Sequence, residues 1–359
     1  MLEQVASAFE QKDYKTAARL LKQLLKESPD NPWVQFYVGR LHEVSGKRRD
    51  AEKIYRRLLR ATTNAKIMSQ ARQGLLRIEE MEQEERQRAI SKATSDSSSS
   101  EQGILILEPI SNESKAEAAQ KFAKIMQIDS YSARLMLPSR GWRFYKTGAV
   151  GELNFYGKQL QKAKIPCFWT TLAEIKKIQV FQVNYFQESN FKPTAVCRNQ
   201  NDQIGSLSFD WSEVKRRVVG LLPIFEKVVD RDIRGKVERK TQTQDYFQFC
   251  DLHIPGRHCI LRFYDNDYDF QQGIEISDSS SINTIRINWN NLLRWLDQQL
   301  PSVKVSSDFT PFAETLLDQT EMLGQIESHI HLFRREKTNW DPAFHLYSGL
   351  IFVKNGVMS

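Results

Sequence analysis

Cys250, His253, His258 and Cys259 place four soft or borderline ligands within ten positions, which raises zinc chemistry. The spacing argues against it. Pro255-Gly256 turns the chain between the two pairs, and His258 and Cys259 are adjacent, so on one strand they point to opposite faces. Buried thiols and surface imidazoles are the expectation, with no metal ligands assigned. Asp265-Asn266-Asp267-Tyr268-Asp269 offers alternate carboxylates that an extended strand would turn to one side, as a hard cation requires. Directly after the apolar Ile260 to Tyr264, the same residues read better as a turn, because short polar side chains hydrogen-bond their own backbone. His329 and His331 share a face in a strand but lack a third ligand nearby. Lys215-Arg216-Arg217, Arg231 to Lys240 and Arg334-Arg335 could track phosphates, with Trp211 and Tyr246 for stacking. Glu213, Asp230, Asp232, Glu238 and Glu336 dilute that field, so solvated helix or loop faces are expected first. No phosphate loop, dinucleotide fingerprint, paired-histidine zinc helix or nucleophile elbow is present. No catalytic residue and no cofactor is assigned.

The elements that would carry these residues are strands. From Ile178 short aromatic-rich runs recur at 180–186, 194–198 and 204–209, then at 246–249, 259–264 and 282–287, with a last one at Leu350 to Val353. Helices are expected at Trp211 to Phe225, Trp289 to Leu300 and Phe312 to Leu323. Before them, Ile104 to Leu107 is a continuous apolar run, the signature of a strand covered on both faces. Two helices follow, the first opened by Ser114 with Glu117 at capping-box spacing and the second capped by Asp129 or Ser130. A strand from Trp142, a helix from Val150 and a strand at Cys167 complete a small α/β module.

The N-terminal stretch has a longer period. Ala17 and Ala51, Leu21 and Tyr55, Leu24 and Leu58, and Pro29 and Thr63 are each 34 positions apart. Such a period means stacked helical hairpins, each needing a neighbour to bury its apolar face. Gly39 stands where one helix needs a small residue, Gly46 at the following turn, and Ala51, Tyr55 and Leu58 on the next helix. In the first copy Val5, Ala8 and Lys12 replace the packing glycine, an aromatic and the turn glycine. These residues resemble the tetratricopeptide repeat. Ser28-Pro29-Asp30-Asn31-Pro32 makes the corner between copies, and a fifth helix from Ala65 runs on into charged residues.

That resemblance implies a groove in which Phe36, Arg40 and Glu43 face a protein partner, Arg40 as a fork for a carboxylate and Phe36 as apolar area. The family's clamp for C-terminal carboxylates has lysine and asparagine at those steps, so binding of chaperone tails is not implied. As a combination of parts the chain is similar to uncharacterised repeat proteins of cyanobacteria, a likeness that carries no activity.

With 359 residues, 40% hydrophobic and 26% charged, several cores are possible. The reading is therefore a multidomain α plus α+β chain: TPR-like helical hairpins over 1–90, a flexible serine-rich linker over 91–103, the α/β module over 104–177, and an α+β domain with an antiparallel sheet over 178–354. Four cysteines without a scaffold spacing suit a reducing compartment. The start Met1-Leu2-Glu3-Gln4 does not read as a signal peptide, and Val218 to Phe225 is too short to span a bilayer. A cytoplasmic protein is expected. A net charge of +7 is a modest excess that does not by itself call for nucleic acid. The leading expectation is a non-enzymatic scaffold or adaptor that binds a protein partner through the groove. Nucleic-acid binding through the basic C-terminal portion is the alternative, and an enzyme with a site around His253, His258 and Asp265 is the third.

Overall fold

The computed structural model describes residues 1–187, 192–231, 237–275, 284–332 and 338–356, which fall into two compact units, Met1–Lys92 and Ala93–Ser359. The first is entirely helical: α1 (Leu2–Glu10), α2 (Tyr14–Glu27), α3 (Pro32–Val44), α4 (Arg48–Ala61) and α5 (Ala65–Ala93), the last ending one residue into the second unit. Local chemistry sets the boundaries. The Asp13 carboxylate accepts from the Thr16 amide to start α2, and Asn31 accepts from Trp33 to start α3, whose first position is Pro32. At the two equivalent turns Lys12 and Gly46 both take positive φ, 59° and 74°, so the first copy holds a lysine where the second has the residue suited to that backbone.

Tyr55 is the pivot of the helix packing. Its ring is fully buried between α3 and α5, and a Cβ built at Gly39 or Gly74 would lie 2.7 or 2.5 Å from it. Neither helix could approach so closely with any other residue there. Gly74→Ala and Gly39→Ala are each expected to cost this unit about 1–3 kcal/mol through overpacking, seen as a lower urea midpoint for loss of helical ellipticity. Wild-type stability in either variant would mean that the ring moves aside freely.

The second unit begins with β1 (Gln102–Leu107), α6 (Lys115–Met126), α7 (Ser130–Met136), β2 (Arg143–Ala149), α8 (Val150–Lys162) and β3 (Cys167–Thr171), in the order read from sequence. These strands form an antiparallel sheet, β2-β1-β3. Central β1 is buried on both faces, Leu105 and Leu107 against Phe122, Leu153 and Leu160, Ile104 and Ile106 against a second core. The expected capping box at α6 does not form. The Ser114 hydroxyl bonds Ser111 instead, and α6 starts without a side-chain cap. Of the serine-rich stretch, α5 takes residues up to Ala93, a 3-10 turn takes Ser97–Ser100, and β1 starts at Gln102.

There follow α9 (Leu172–Lys176), β4 (Gln179–Gln187), β5 (Thr194–Arg198), β6 (Ile204–Ser208), β7 (Arg216–Arg231), β8 (Val237–Ile254), β9 (Cys259–Tyr264), α10 (Ile285–Gln299), β10 (Val305–Ser306), α11 (Phe309–Ala313), α12 (Thr320–Leu323) and α13 (Trp340–Gly356). The strands form one sheet, β10-β7-β8-β9-β4-β5-β6, antiparallel except for the pairs β4–β9 and β10–β7. Three expectations are corrected. Trp211 to Phe225 is not a helix but a 3-10 turn followed by β7, where β-branched residues and Pro223 suit a strand. Leu350 to Val353 is not a strand but the end of α13. Ile285 to Ile287 opens α10, capped by Thr284, while the start of that expected strand lies outside the described residues.

α13 is the hub. Its ten consecutive residues 343–352 are buried, and Phe344, Tyr347 and Leu350 pack with Ile104 and Phe144 of the small sheet and with Val218, Leu222 and Phe249 of the large one. The opposite face of the large sheet is covered by Trp289, Leu292 and Leu296 of α10. Residues 104–177 and 178–354 thus share one core. β7 and β8 pair along their whole length, but β10 reaches only Arg217 and Val218, and β9 only Phe249 to Ile254. Beyond those residues they run on as a two-stranded ribbon with Leu221, Phe225, Val229 and Tyr246 exposed.

Candidate functional site

Helical spacing divides α3 into two stripes. One carries Phe36, Gly39 and Glu43, and it is occupied by the helix packing. Phe36 is 2% exposed and packs on Tyr55. Glu43 accepts from the Tyr55 hydroxyl at 2.7 Å and from Arg77 of α5 at 2.8 and 3.0 Å. Burial pushes the Glu43 carboxyl up, but the Arg77 and Tyr55 hydrogen bonds outweigh it and hold the group below its usual range. Phe36 and Glu43 are interior residues; of the three expected to face a partner, Arg40 alone lies on the other stripe.

That second stripe is aromatic and half-buried. Tyr37 stacks on Phe9 of α1 at 5.4 Å and meets Trp33 at 6.4 Å, and Tyr14 extends the row at 5.9 Å from Phe9. Cations flank it, Arg40 at 5.4 Å over Phe9 and Lys66 at 5.8 Å over Trp33. Burial pushes the Tyr37 hydroxyl pKa up. Arg40 Nε is buried without a hydrogen-bond partner among the described residues. Sequence reasoning missed Trp33 and Tyr37, although the spacing i, i+4, i+7 of Trp33, Tyr37 and Arg40 on one helix was the available signal.

Two helical hairpins, a shared 34-residue register and glycines where α3 and α5 meet Tyr55 are now in place. Residues 8–75 match the family model of the tetratricopeptide repeat. The match covers the end of α1 through the first third of α5, and it stops well short of half the chain. No curated protein and no solved structure matches the chain. The tetratricopeptide arm is, in the general sense of its family, a protein-interaction module.

The second unit contains a buried polar cluster that the sequence reading did not assemble. Asp251 of β8 and Arg262 of β9 are directly opposed in register and both fully buried. Their contact is bidentate, at 2.8 and 2.7 Å, and Arg262 Nη1 donates to the Ser328 carbonyl at 2.7 Å. The Ser348 hydroxyl of α13 donates to Asp251 at 2.6 Å and lies 2.9 Å from His253 Nε2. Because that hydroxyl spends its proton on Asp251, His253 donates through Nε2 and its Nδ1 has no partner among the described residues. His345 is buried beside this group with its ring 4.7 Å from that of His329. A serine, a histidine and an aspartate meet here, yet all three are buried with exposures of 0%. The serine bonds the carboxylate directly, so the order needed to activate a nucleophile is absent. The signal in the sequence was polar Asp251 and His253 alternating with apolar Cys250, Leu252 and Ile254.

The remaining candidates disperse. Cys250 and Cys259 lie in the core on the α10 side while His253 faces α13, and burial pushes the Cys259 thiol up to about 11. His258 takes positive φ at a turn. Asp265 to Asp269 is a turn: Asp267 pairs with Arg198, and Asp269 accepts from Gln271 and Gln272. No group of three or more His, Cys, Asp or Glu is placed to hold a metal among the described residues. Lys215-Arg216-Arg217 does not form a solvated helix face, since Arg217 is buried against Asp297 of α10 and Arg216 points to the other side of the sheet. Arg334-Arg335 and the centre of Arg231 to Lys240 lie outside the described residues. No helix among them is long and apolar enough to cross a membrane.

Proposed function

We propose that this protein is a non-enzymatic scaffold or adaptor of the cytoplasm, whose tetratricopeptide arm grips a peptide segment of another protein. The observation that carries the reading is the half-buried pair Tyr37 and Trp33, with Tyr37 stacked on the buried Phe9 and the row flanked by Arg40 and Lys66. Aromatic rings give contact area at small entropic cost, and the flanking cations select a segment with an apolar anchor and acidic neighbours. Four free, buried cysteines are in keeping with a reducing compartment.

The test compares the full chain with Arg40→Glu and Lys66→Glu in capture from nuclease-treated native lysate at low and high salt. Circular dichroism confirms that both variants fold. A partner that survives nuclease and salt with the wild-type chain is expected to bind either variant about tenfold more weakly, a change of about 1.4 kcal/mol. Equal capture by all three chains would place the interaction elsewhere, and loss on nuclease treatment would replace the reading with nucleic-acid binding.

A further inference from the structure

Arg216 and Lys304 form an unusual pair. The parallel register of β10 and β7 sets Val305 beside Arg217 and Ser306 beside Val218, and the Arg217 amide donates to the Lys304 carbonyl. One step back along the same register, Lys304 stands beside Arg216, and both side chains line one cleft of about 370 Å³. Like charges directly opposed in a sheet are destabilising. Among the described residues neither forms an ion pair. Among the described residues the one hydrogen bond of the Arg216 guanidinium goes to a neutral amide, Asn355 Oδ1, at 3.1 Å.

Two carboxylates line the cleft, and among the described residues neither forms an ion pair with Arg216 or Lys304. Glu108 lines it but is taken by Lys354. Asp308 lines it beside Gly141 and offsets part of the positive charge. His253, next to Arg216 across β7–β8, is neutral near pH 7 because burial lowers its pKa to about 4. The carbonyl end of α13 beside Asn355 supplies about half a negative charge against two positive ones. On the other side of the cleft stands Trp142, half-buried against the core residue Tyr347 at 6.2 Å between ring centroids, with the Lys354 ammonium 5.1 Å from its ring centre.

We propose that this cleft binds a small phosphate monoester with a flat apolar body, its dianion held by Arg216 and Lys304 and its body lying against the half-buried Trp142. Two cations match a dianion better than a monoanion, and Trp142 adds apolar contact area that inorganic phosphate cannot use. The site lies in the second unit and is independent of the reading of the arm.

The experiment is calorimetric titration of the full chain at low salt with phenyl phosphate, benzoate, inorganic phosphate and phenol. Phenyl phosphate is expected to bind at one site, more tightly than benzoate or inorganic phosphate, with phenol not binding. Arg216→Gln and Lys304→Gln are each expected to weaken it tenfold or more. Without ligand, Lys304→Gln is expected to raise the melting temperature by relieving the like-charge contact, a readout that does not depend on the probe. The proposal is overturned if phenyl phosphate fails to bind, if benzoate binds more tightly, or if the double variant retains wild-type affinity. A melting temperature lowered by Lys304→Gln would remove its electrostatic premise.

Discussion

Arg262→Met is expected to destabilise the second unit by about 3–5 kcal/mol, the usual cost of leaving one partner of a buried ion pair uncompensated. The geometry puts this site at the upper end. Asp251 would lose both guanidinium bonds and keep only the Ser348 hydroxyl, inside a region with no exposed atom of either side chain. The guanidinium also lies 5.0 Å from the centre of the Phe344 ring, and its Nη1 satisfies the Ser328 carbonyl. Since domains are stable by only about 5–15 kcal/mol, much of the margin would go. Asp251→Leu combined with Arg262→Met should restore most of it, because removing both charges removes the desolvation cost together with the attraction. Urea unfolding followed by tryptophan fluorescence reads this unit well, since of the seven tryptophans only Trp33 lies in the other. A loss below about 1 kcal/mol for the single variant would show that water reaches the cluster.

Acid should unfold the same unit before the carboxylates elsewhere titrate. Burial lowers the pKa of His253 to about 4, and it holds those of His329 and His345 well below the ordinary value, with the positive Arg262 adding to each. Protonation of His253 would also place a second N–H at Nδ1, which meets no acceptor among the described residues. In the unfolded chain these rings titrate near 6.5. Between that pH and about 4 the unfolded state therefore binds more protons than the native one, and stability falls as pH falls. His253 alone accounts for about 3 kcal/mol across this window. Asp265 works in the opposite direction. Burial raises its carboxyl to about 6, so its protonation favours the folded state as pH falls from there towards 4. Three histidines outweigh one carboxyl, and a net loss is expected. His253→Gln should flatten the slope of stability against pH between 6.5 and 5; an unchanged slope would mean that the ring is already charged in the native state.

The helical arm was legible because its packing is local and periodic: the 34-residue register that aligns Ala17 with Ala51 also aligns the turns at Lys12 and Gly46. β5 was equally plain, its residues Thr194 to Arg198 being bounded on both sides by turn residues. α13 was not, because a helix buried all round has no polar face, and Leu350 to Val353 then looks like a covered strand. Val214, Val218 and Leu222 keep helical spacing by coincidence while belonging to a turn and to β7. As for the groove, Phe36 and Glu43 turn inward to the helix packing while Arg40 lies on the other stripe, since a small rotation of the stripe decides between partner-facing and interior. The polar cluster joins residues almost a hundred positions apart, Asp251 and Ser348, and only the sheet and α13 bring them together.

The ribbon formed by β7 and β8 divides those strands into parts of unequal permanence. Near Val218 and Asp251 each backbone amide belongs to a sheet with neighbours on both sides and α13 above it, so its proton exchanges with solvent only when the whole unit opens. From Phe225 to Arg231 the same strand has β8 alone, with side chains such as Val229 in water. A two-stranded pair of this kind is marginal by itself. Opening there needs no disturbance of the core, and deuterium should enter from the far end of the ribbon and stop where β9 and β10 begin.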